Sequence, residues 1–262
     1  MGNIISGEFL KIKRYSVVKA GLVMMSLSVL MSCFYSTANT GEIWSFQYFI
    51  QQVIISNCTL FFPIIITLVA VYIISREITD DTLKSILTVP ITYKRLLVAK
   101  LWLLLFLTIL FSVFNALLAI CFNVFLGFSG MGIYEVFLSI VRIILSDICV
   151  YISVLPIIVV CAFSGGRSLL GVAVAFVYGY FATMEGRILN WFPVKAAMII
   201  VDSKCGYEYG VTYYRYPAVV SLLVTLIISI LLFQILEKMG RAKNFVYSKR
   251  KNKIKQKRRK GW

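Results

Sequence analysis

Long apolar runs alternate with short polar connections along most of this chain. Six of the runs approach the roughly 20 residues that a membrane-spanning helix needs, and they carry few charges. They cover residues 17–35, 53–75, 101–126, 143–163, 169–184 and 218–236. Because the runs do not alternate strictly between apolar and polar residues, they favour helices over the strands of a membrane β-barrel. The pattern predicts an all-α, polytopic membrane protein with six transmembrane helices.

Two shorter apolar segments are predicted to lie at the membrane surfaces. Ile5, Phe9 and Ile12 fall at helical spacing ahead of the first span, which indicates an N-terminal amphipathic interfacial helix or an ordinary basic flank. Residues 188–201 are apolar but too short to span the membrane, and they contain Pro193 and Lys195. This length favours a re-entrant segment in the outer loop between the fifth and sixth spans.

Proline and small residues mark points where the spans bend or approach each other. Pro63 and Pro156 each remove one backbone donor inside a span, so kinks are expected there. Small residues recur every four positions on the fifth span, a spacing that lets two helices approach closely. They are Gly171, Ala175, Gly179 and Thr183. The helix that faces them belongs either to the same chain or to a second copy.

Composition and charge support the membrane assignment and orient it. Hydrophobic residues make up 60% of the 262 positions, whereas soluble domains hold about half. Lys and Arg mark the cytoplasmic side of a membrane protein. Only five of the 27 basic residues fall on the other predicted side, namely Arg142, Arg187, Lys195, Lys204 and Arg215. Both termini and residues 76–100 are therefore predicted to be cytoplasmic.

Nearly half of the basic residues behind the net charge of +16 lie near the C-terminus. We assign residues 1–236 to the membrane domain and residues 237–262 to a basic cytoplasmic tail. A basic stretch directly after a membrane helix is attracted to anionic lipid. Membrane lipid, and not nucleic acid, is therefore the expected partner of the tail.

The residue types limit the chemistry of the chain. There is no histidine, and none of the six cysteines belongs to a CxxC pair. Zinc sites and histidine-dependent catalysis are therefore disfavoured. HExxH, GxSxG and the GxxxxGK[ST] loop of P-loop ATPases are also missing. Cys33 and Cys205 can both reach the outer side, and whether they pair is left open by the sequence.

Three polar residues inside the spans need partners. Asn115, Asn123 and Asp147 are costly in lipid, so they are expected to face protein or water. Asp147 lies about one helical turn from Arg142. A structural ion pair between the two and a contact between Asp147 and a substrate both remain open.

The charged stretch between the second and third spans combines a helical pattern with a proline break. Its apolar face is formed by Ile78, Leu83, Ile86 and Leu87. Pro90 ends this short helix, and the next helix runs through Arg95 and Lys100 into the third span. Because so short a helix is marginal alone in water, its apolar face is expected to dock on a partner.

This layout resembles the permeases of ABC-2 type transporters. The likeness is carried by Arg76-Glu77 at the end of a span, by "TLKSILTVP", and by "ITYKRLLVAK" leading into the next span. A weaker match is "ILNWFPVKAA" in the last outer loop. Within that family the chain is similar to the small six-helix permeases of Gram-positive lantibiotic and bacitracin immunity or peptide-export systems.

The resemblance implies that residues 76–100 contain a coupling helix that fits a groove on a separate cytoplasmic ATPase. The coupling residues implied are Glu77, Leu83, Ile86, Leu87, Pro90, Arg95 and Lys100. Asn190 and Pro193 are implied to form part of an outer gate, and Gly171, Ala175 and Gly179 are the expected packing residues. The basic tail is not required by the family pattern.

We therefore expect the permease subunit of an ATP-driven exporter in the bacterial cell membrane. Its substrate is expected to be an amphipathic antimicrobial peptide or another amphiphile. ATP and Mg²⁺ would be bound by the partner ATPase, and a second permease chain, identical or homologous, would complete the transporter. We expect no catalytic residue, metal or cofactor on this chain. A membrane-bound enzyme and a non-transporting tether or sensor are the alternatives.

Overall fold

The computed structural model of the protein describes residues 7, 9, 16–37, 45–79, 93–163, 168–202 and 212–259. For residues 75–79, 93, 168–169 and 239–259 it describes the backbone only. Within these ranges nearly all residues are helical, and the single β-bridge, between Ser45 and Ser129, belongs to no strand. The all-α prediction is confirmed for this part of the chain.

Eight α-helices follow one another along the described ranges. They are α1 (Ser16–Thr37), α2 (Phe46–Ser56), α3 (Phe62–Thr79), α4 (Tyr93–Leu126), α5 (Ile133–Phe163), α6 (Ser168–Tyr180), α7 (Pro193–Val201) and α8 (Arg215–Arg259). A π-helical turn, Asn57–Phe61, joins α2 to α3. Two 3₁₀ turns, Phe181–Thr183 and Arg187–Trp191, connect α6 to α7.

Five stretches of the described helices are long and apolar enough to cross a membrane. They are Ser16–Thr37, Phe46–Ile74, Lys94–Leu126, Ile133–Phe163 and Arg215–Lys238. The fifth predicted span, 169–184, is represented by the shorter apolar helix Leu170–Thr183. At 1.5 Å per residue it reaches about 20 Å, against a hydrocarbon core of about 30 Å. Of the six predicted spans, five are thus supported by a helix of sufficient length.

Three of the helices begin earlier than hydropathy predicted. The second span starts at Phe46 and not at Val53, so it takes in the end of the predicted outer connection. Helix α4 starts at Tyr93 and α5 at Ile133, before the apolar runs in which the spans were placed. The turns added to α4 and α5 carry charged residues, and those added to the second span carry three glutamines; a hydropathy window rejects such residues although helix formation tolerates them. Helix α8 likewise continues without a break into the predicted tail.

Helix α5 lies at the centre of the bundle. It packs against α3, α4, α7 and α8, while α3 also contacts α1 and α6. At one end of the bundle the Phe46 backbone N–H donates to the Ser129 carbonyl at 2.9 Å, which ties the start of α2 to the α4–α5 connection. We call this the Ser129 end. The opposite end, where α4 begins, is the Lys94 end, and the charge rule predicts that it is cytoplasmic.

The irregularity expected at Pro63 takes the form of the π-helical turn just ahead of it. Pro63 has no N–H to donate to the carbonyl of Thr59 four residues earlier. Across the turn, the Phe62 N–H instead reaches back five residues to the Asn57 carbonyl. Such single turns are frequent at functional sites. Pro156, which was predicted to interrupt the fourth span, lies inside α5.

The N-terminal residues touch the bundle at one described point. Gly7 and Phe9 are helical, and the Phe9 ring meets Phe106 of α4 edge-on, with 4.7 Å between the ring centroids. Ile5 and Ile12 of the predicted amphipathic helix lie outside the described residues. Cys33 carries a free thiol, and Cys205, considered above as its disulfide partner, also lies outside them.

Candidate functional site

The first turns of α4, residues 94–101, form a junction between four helices. Lys100 is only 2% exposed, and its Nζ donates to the Ile73 carbonyl of α3 at 2.9 Å. The neighbouring Leu101 carbonyl accepts a hydrogen bond from Tyr151 Oη of α5 at 2.8 Å. These two bonds fix the start of α4 to α3 and to the central helix. We call residues 94–101 the α4 root.

The α4 root is also tied to the last membrane helix. Lys94 Nζ lies 3.5 Å from Glu237 Oε2 of α8. Because the Lys94 side chain is half exposed, this pair contributes at most about 1 kcal/mol to stability. It nevertheless completes a set of contacts in which α3, α5 and α8 all meet the first turns of one helix.

The predicted coupling residues are only partly within the described chain. Glu77 lies in α3, although its side chain is outside the description, and Arg95 is exposed at the start of α4. Leu83, Ile86, Leu87 and Pro90 lie outside the described residues. Lys100 was expected simply to begin the third span, but it points inward and bonds to α3. The inward direction of the Lys100 side chain cannot be seen in the pattern of charges along the sequence, because it depends on which helix packs beside the start of α4.

The predicted outer gate lies at the Ser129 end. Asn190 belongs to a 3₁₀ turn and is buried, while Pro193 is the first residue of α7, a position where its missing N–H costs nothing. Helix α7 is covered on nearly all sides by α5 and α8 and their neighbours. Ser221 Oγ of α8 donates to the Trp191 carbonyl at 2.6 Å, which fixes the preceding turn. The segment is therefore built into the bundle.

Beside α7, the helices enclose a cavity of about 430 Å³ at the Ser129 end. Its walls come from α1, the π-helical turn with the residues before it, the end of α6, and α7. Lys195, only 4% exposed, lies at its edge, with Nζ 3.5 Å from the Met184 carbonyl and 5.2 Å from the centre of the Tyr213 ring. The cavity has the size and the mixed lining of small-molecule sites.

The small-residue stripe on α6 packs within the same chain. A Cβ added to Gly171 would lie 2.2 Å from Cys161 Sγ of α5, and one added to Gly179 would lie 2.3 Å from the Thr59 carbonyl oxygen. Ala175, between them, is completely buried. The stripe thus faces α5 at Gly171 and the π-helical turn at Gly179. The sequence left open whether the facing helix belongs to the same chain or to a second copy, and at both glycines the facing residues belong to the same chain.

A buried polar cluster joins the π-helical turn to α4 and α5. Asn57 Nδ2 donates to Asp147 Oδ1 at 2.7 Å, and Ser112, whose hydroxyl donates to a carbonyl within α4, lies beside this carboxyl group. All three residues are at most 1% exposed, as are Asn115 and Asn123. The expectation that the polar residues of the spans face protein is met. Asn57 was missed, although an asparagine in an apolar run is the signal that could have found it.

The ion pair considered for Asp147 does not form. Arg142 Nη1 instead lies 3.9 Å from Asp202 Oδ2, beyond the end of α7. Residues five positions apart are about 140° apart around an α-helix, so Arg142 and Asp147 point to different sides of α5. The contact between Arg142 and Asp202 anchors the segment that contains α7 to the central helix.

No three His, Cys, Asp or Glu side chains of the described ranges are grouped so that they could hold a metal ion.

Comparison with known families identifies the class of protein. The model of the family described as "ABC-2 family transporter protein" matches residues 4–182. The chain belongs to this family, whose members are membrane components of ABC transporters and work with an ABC ATPase. It is a multi-pass membrane protein of the permease class. Comparisons with curated proteins and with solved structures gave no match.

Proposed function

We infer that the chain is the permease subunit of an ATP-driven exporter in which residues 76–100 couple a separate ATPase to the membrane helices. The observation that carries this proposal is the α4 root. Lys100 bonds to α3 across the base of that segment, and Tyr151 and Glu237 bring α5 and α8 to the same place. A displacement of residues 76–100 would therefore be passed to four helices at once.

The proposed mechanism is a shift between two conformations. ATP binding would draw two ATPase subunits together and move the docked coupling helices. A ligand shifts such an equilibrium only through different affinity for the two states, so the docking face must change its contacts between them. In this proposal both termini are cytoplasmic. Helix α6 with the turns after it makes the fifth of the six crossings. Helix α7 is the re-entrant outer segment, and Asn190 and Pro193 lie at its start as part of the proposed gate.

The proposed substrate is an amphipathic peptide or another amphiphile taken from the membrane, as in lantibiotic and bacitracin immunity systems. The described spans support this class because they bury few ionisable side chains, and these have separate partners within the bundle: Lys100 donates to the Ile73 carbonyl, and Asp147 accepts from Asn57. Many of the buried hydroxyl groups donate to backbone carbonyls of their own helices. The bacterial cell membrane, ATP and Mg²⁺ on the partner, and a second permease chain complete the proposal. The basic tail would hold anionic lipid.

The coupling role is tested with Leu83→Asp. On the predicted helix Leu83 belongs to the apolar face, so a charge there should prevent docking while leaving membrane insertion intact. We expect the variant chain to reach the membrane but to lose both co-purification with the tagged ATPase and export from vesicles. Ser85→Asp places the same charge on the other face of the helix and should retain both activities.

The outcome separates the proposal from its alternatives. Normal export by Leu83→Asp vesicles would contradict the coupling role. A chain that binds its ATPase but moves no substrate in any vesicle assay would favour a tether or sensor. Turnover of a lipid or peptide by the purified chain without an ATPase would favour an enzyme.

A further inference from the structure

The cavity at the Ser129 end combines an apolar wall with polar groups at defined positions. Its apolar part includes Ile55, Leu60 and Met198, and its volume of about 430 Å³ is within the range of drug-sized sites. Such a lining suits a ligand with an apolar body and one polar head. The chemistry of the polar groups then indicates which head would fit.

The hydroxyl groups on the lining are available as hydrogen-bond acceptors. Thr59 Oγ1 donates its proton to the Ile55 carbonyl, and Thr183 Oγ1 donates to the Tyr180 carbonyl, each at 2.7 Å. A hydroxyl has one proton but two lone pairs, so each oxygen keeps acceptor capacity. Both threonines line the cavity. A ligand therefore gains most from them by donating hydrogen bonds.

The charged groups on the lining differ in accessibility. Glu185 lines the cavity, is only partly buried, and makes no ion pair or hydrogen bond with another described residue. Lys195 is almost completely buried, and its ammonium group is placed by the Met184 carbonyl and the face of the Tyr213 ring. The carboxylate of Glu185 is thus the charge that a ligand in the cavity can reach.

Two tyrosine rings favour the same sign of ligand charge. Tyr35 of α1 and Tyr180 at the end of α6 line the cavity and are 50% and 53% exposed. The faces of aromatic rings attract cations such as ammonium and guanidinium groups. Carboxylate, hydroxyl acceptors and aromatic faces together form a lining that suits a cation with N–H donors.

We propose that this cavity binds the cationic, N–H-bearing head of an amphiphile, with Glu185 as the charge partner and the apolar wall holding part of the tail. The inference deepens the proposed function by naming the substrate class. The test measures binding of an amphiphile to the full chain without the ATPase. A negative result would therefore count against this inference without affecting the co-purification test of the proposed function.

The probe is a dodecylammonium carrying a photoreactive diazirine near its head, added to the full chain in nanodiscs of neutral lipid. Peptide mapping should place the label within residues 55–61 and 180–185. Unlabelled dodecylammonium should compete at least about fivefold better than dodecanoate, which has a similar tail but the opposite charge. Equal or better competition by dodecanoate would overturn the proposal, and so would labelling spread along lipid-facing α8.

Two variants and a control refine the test. Glu185→Gln keeps the shape of the side chain and should weaken dodecylammonium competition about fivefold, the effect of losing a partly exposed charge pair. Thr59→Val removes one acceptor at nearly constant volume and should weaken it to a smaller degree. Glu135→Gln removes a partly buried carboxylate at the same end of the bundle but outside the cavity, and should leave competition unchanged. Unaltered competition in Glu185→Gln would refute the role of this residue.

Discussion

Replacing Gly179 with alanine would place a methyl group against backbone, and not against a side chain that can move. The added Cβ would lie 2.3 Å from the Thr59 carbonyl oxygen and 3.0 Å from Pro63 Cγ, whereas ordinary contacts begin at 3.4 Å. Relieving this overlap requires α6 or the π-helical turn to shift by about 1 Å. Overpacking of this kind costs about 1–3 kcal/mol, and a clash with backbone belongs at the upper end.

One effect opposes this cost. Alanine forms helix better than glycine by up to about 1 kcal/mol, so we expect a net destabilisation of about 2 kcal/mol. For a chain of this size that corresponds to a drop of roughly 4–8 °C in the midpoint of thermal unfolding. The measurement is the unfolding temperature of the full chain in nanodiscs, followed by the fluorescence of its tryptophans.

Two other glycines supply matched controls. A Cβ at Gly132, in the α4–α5 connection, meets nothing within 4 Å, so Gly132→Ala should leave the unfolding temperature nearly unchanged. At Gly171 the nearest atom is Cys161 Sγ, at the end of a side chain. Gly171→Ala should therefore be rescued by Cys161→Ala, whereas Gly179→Ala has no such remedy. An unfolding temperature for Gly179→Ala equal to or above that of the unaltered chain would refute the packing argument.

The remaining predictions concern the two buried polar contacts. Lys100→Met keeps the length of the side chain but removes the donor to the Ile73 carbonyl. Because the cost of burying the ammonium group disappears together with the hydrogen bond, stability should change little. Coupling should weaken, so that more ATP is hydrolysed for each substrate molecule exported. Unchanged ATP use per substrate in vesicles would contradict it. Asp147→Ala leaves the Asn57 amide without its acceptor and should cost about 1–3 kcal/mol, whereas Asp147→Asn keeps an acceptor and should cost less. Thermal unfolding compares the two variants, and equal losses would argue against the hydrogen bond.

The sequence predicts the class of the fold because hydropathy and length alone decide whether a helix can cross a membrane. The hydropathy windows are less exact at helix ends, since α5 begins at Ile133, ahead of the apolar run, whereas the helix predicted from the charged stretch through Arg95 and Lys100 is confirmed at the start of α4. For the fifth span, the predicted residues 169–184 agree with the apolar helix Leu170–Thr183, but its length alone does not establish a crossing, because the α-helix changes to a 3₁₀ turn at Phe181.

The site is less predictable than the fold. Asp147 and the small-residue stripe can be found from the sequence, because an ionisable residue in a span and a regular spacing are local signals. Their partners cannot, since the contacts of Asn57 with Asp147 and of Lys100 with Ile73 join residues 90 and 27 positions apart. Such contacts depend on which helices are neighbours in the bundle, and these neighbours cannot be inferred from a single sequence.

The π-helical turn fixes the number of residues in the second span more strictly than their identity. Its wider loop allows both Phe49 before it and Phe62 after it to be fully buried. Deleting one residue from Asn57–Phe61 would rewind the turn to an ordinary α-helix and rotate everything ahead of it by about 100°. Phe49 would then swing toward the lipid chains. Exchanging one apolar side chain for another within this turn should be tolerated, whereas the deletion of one residue should not.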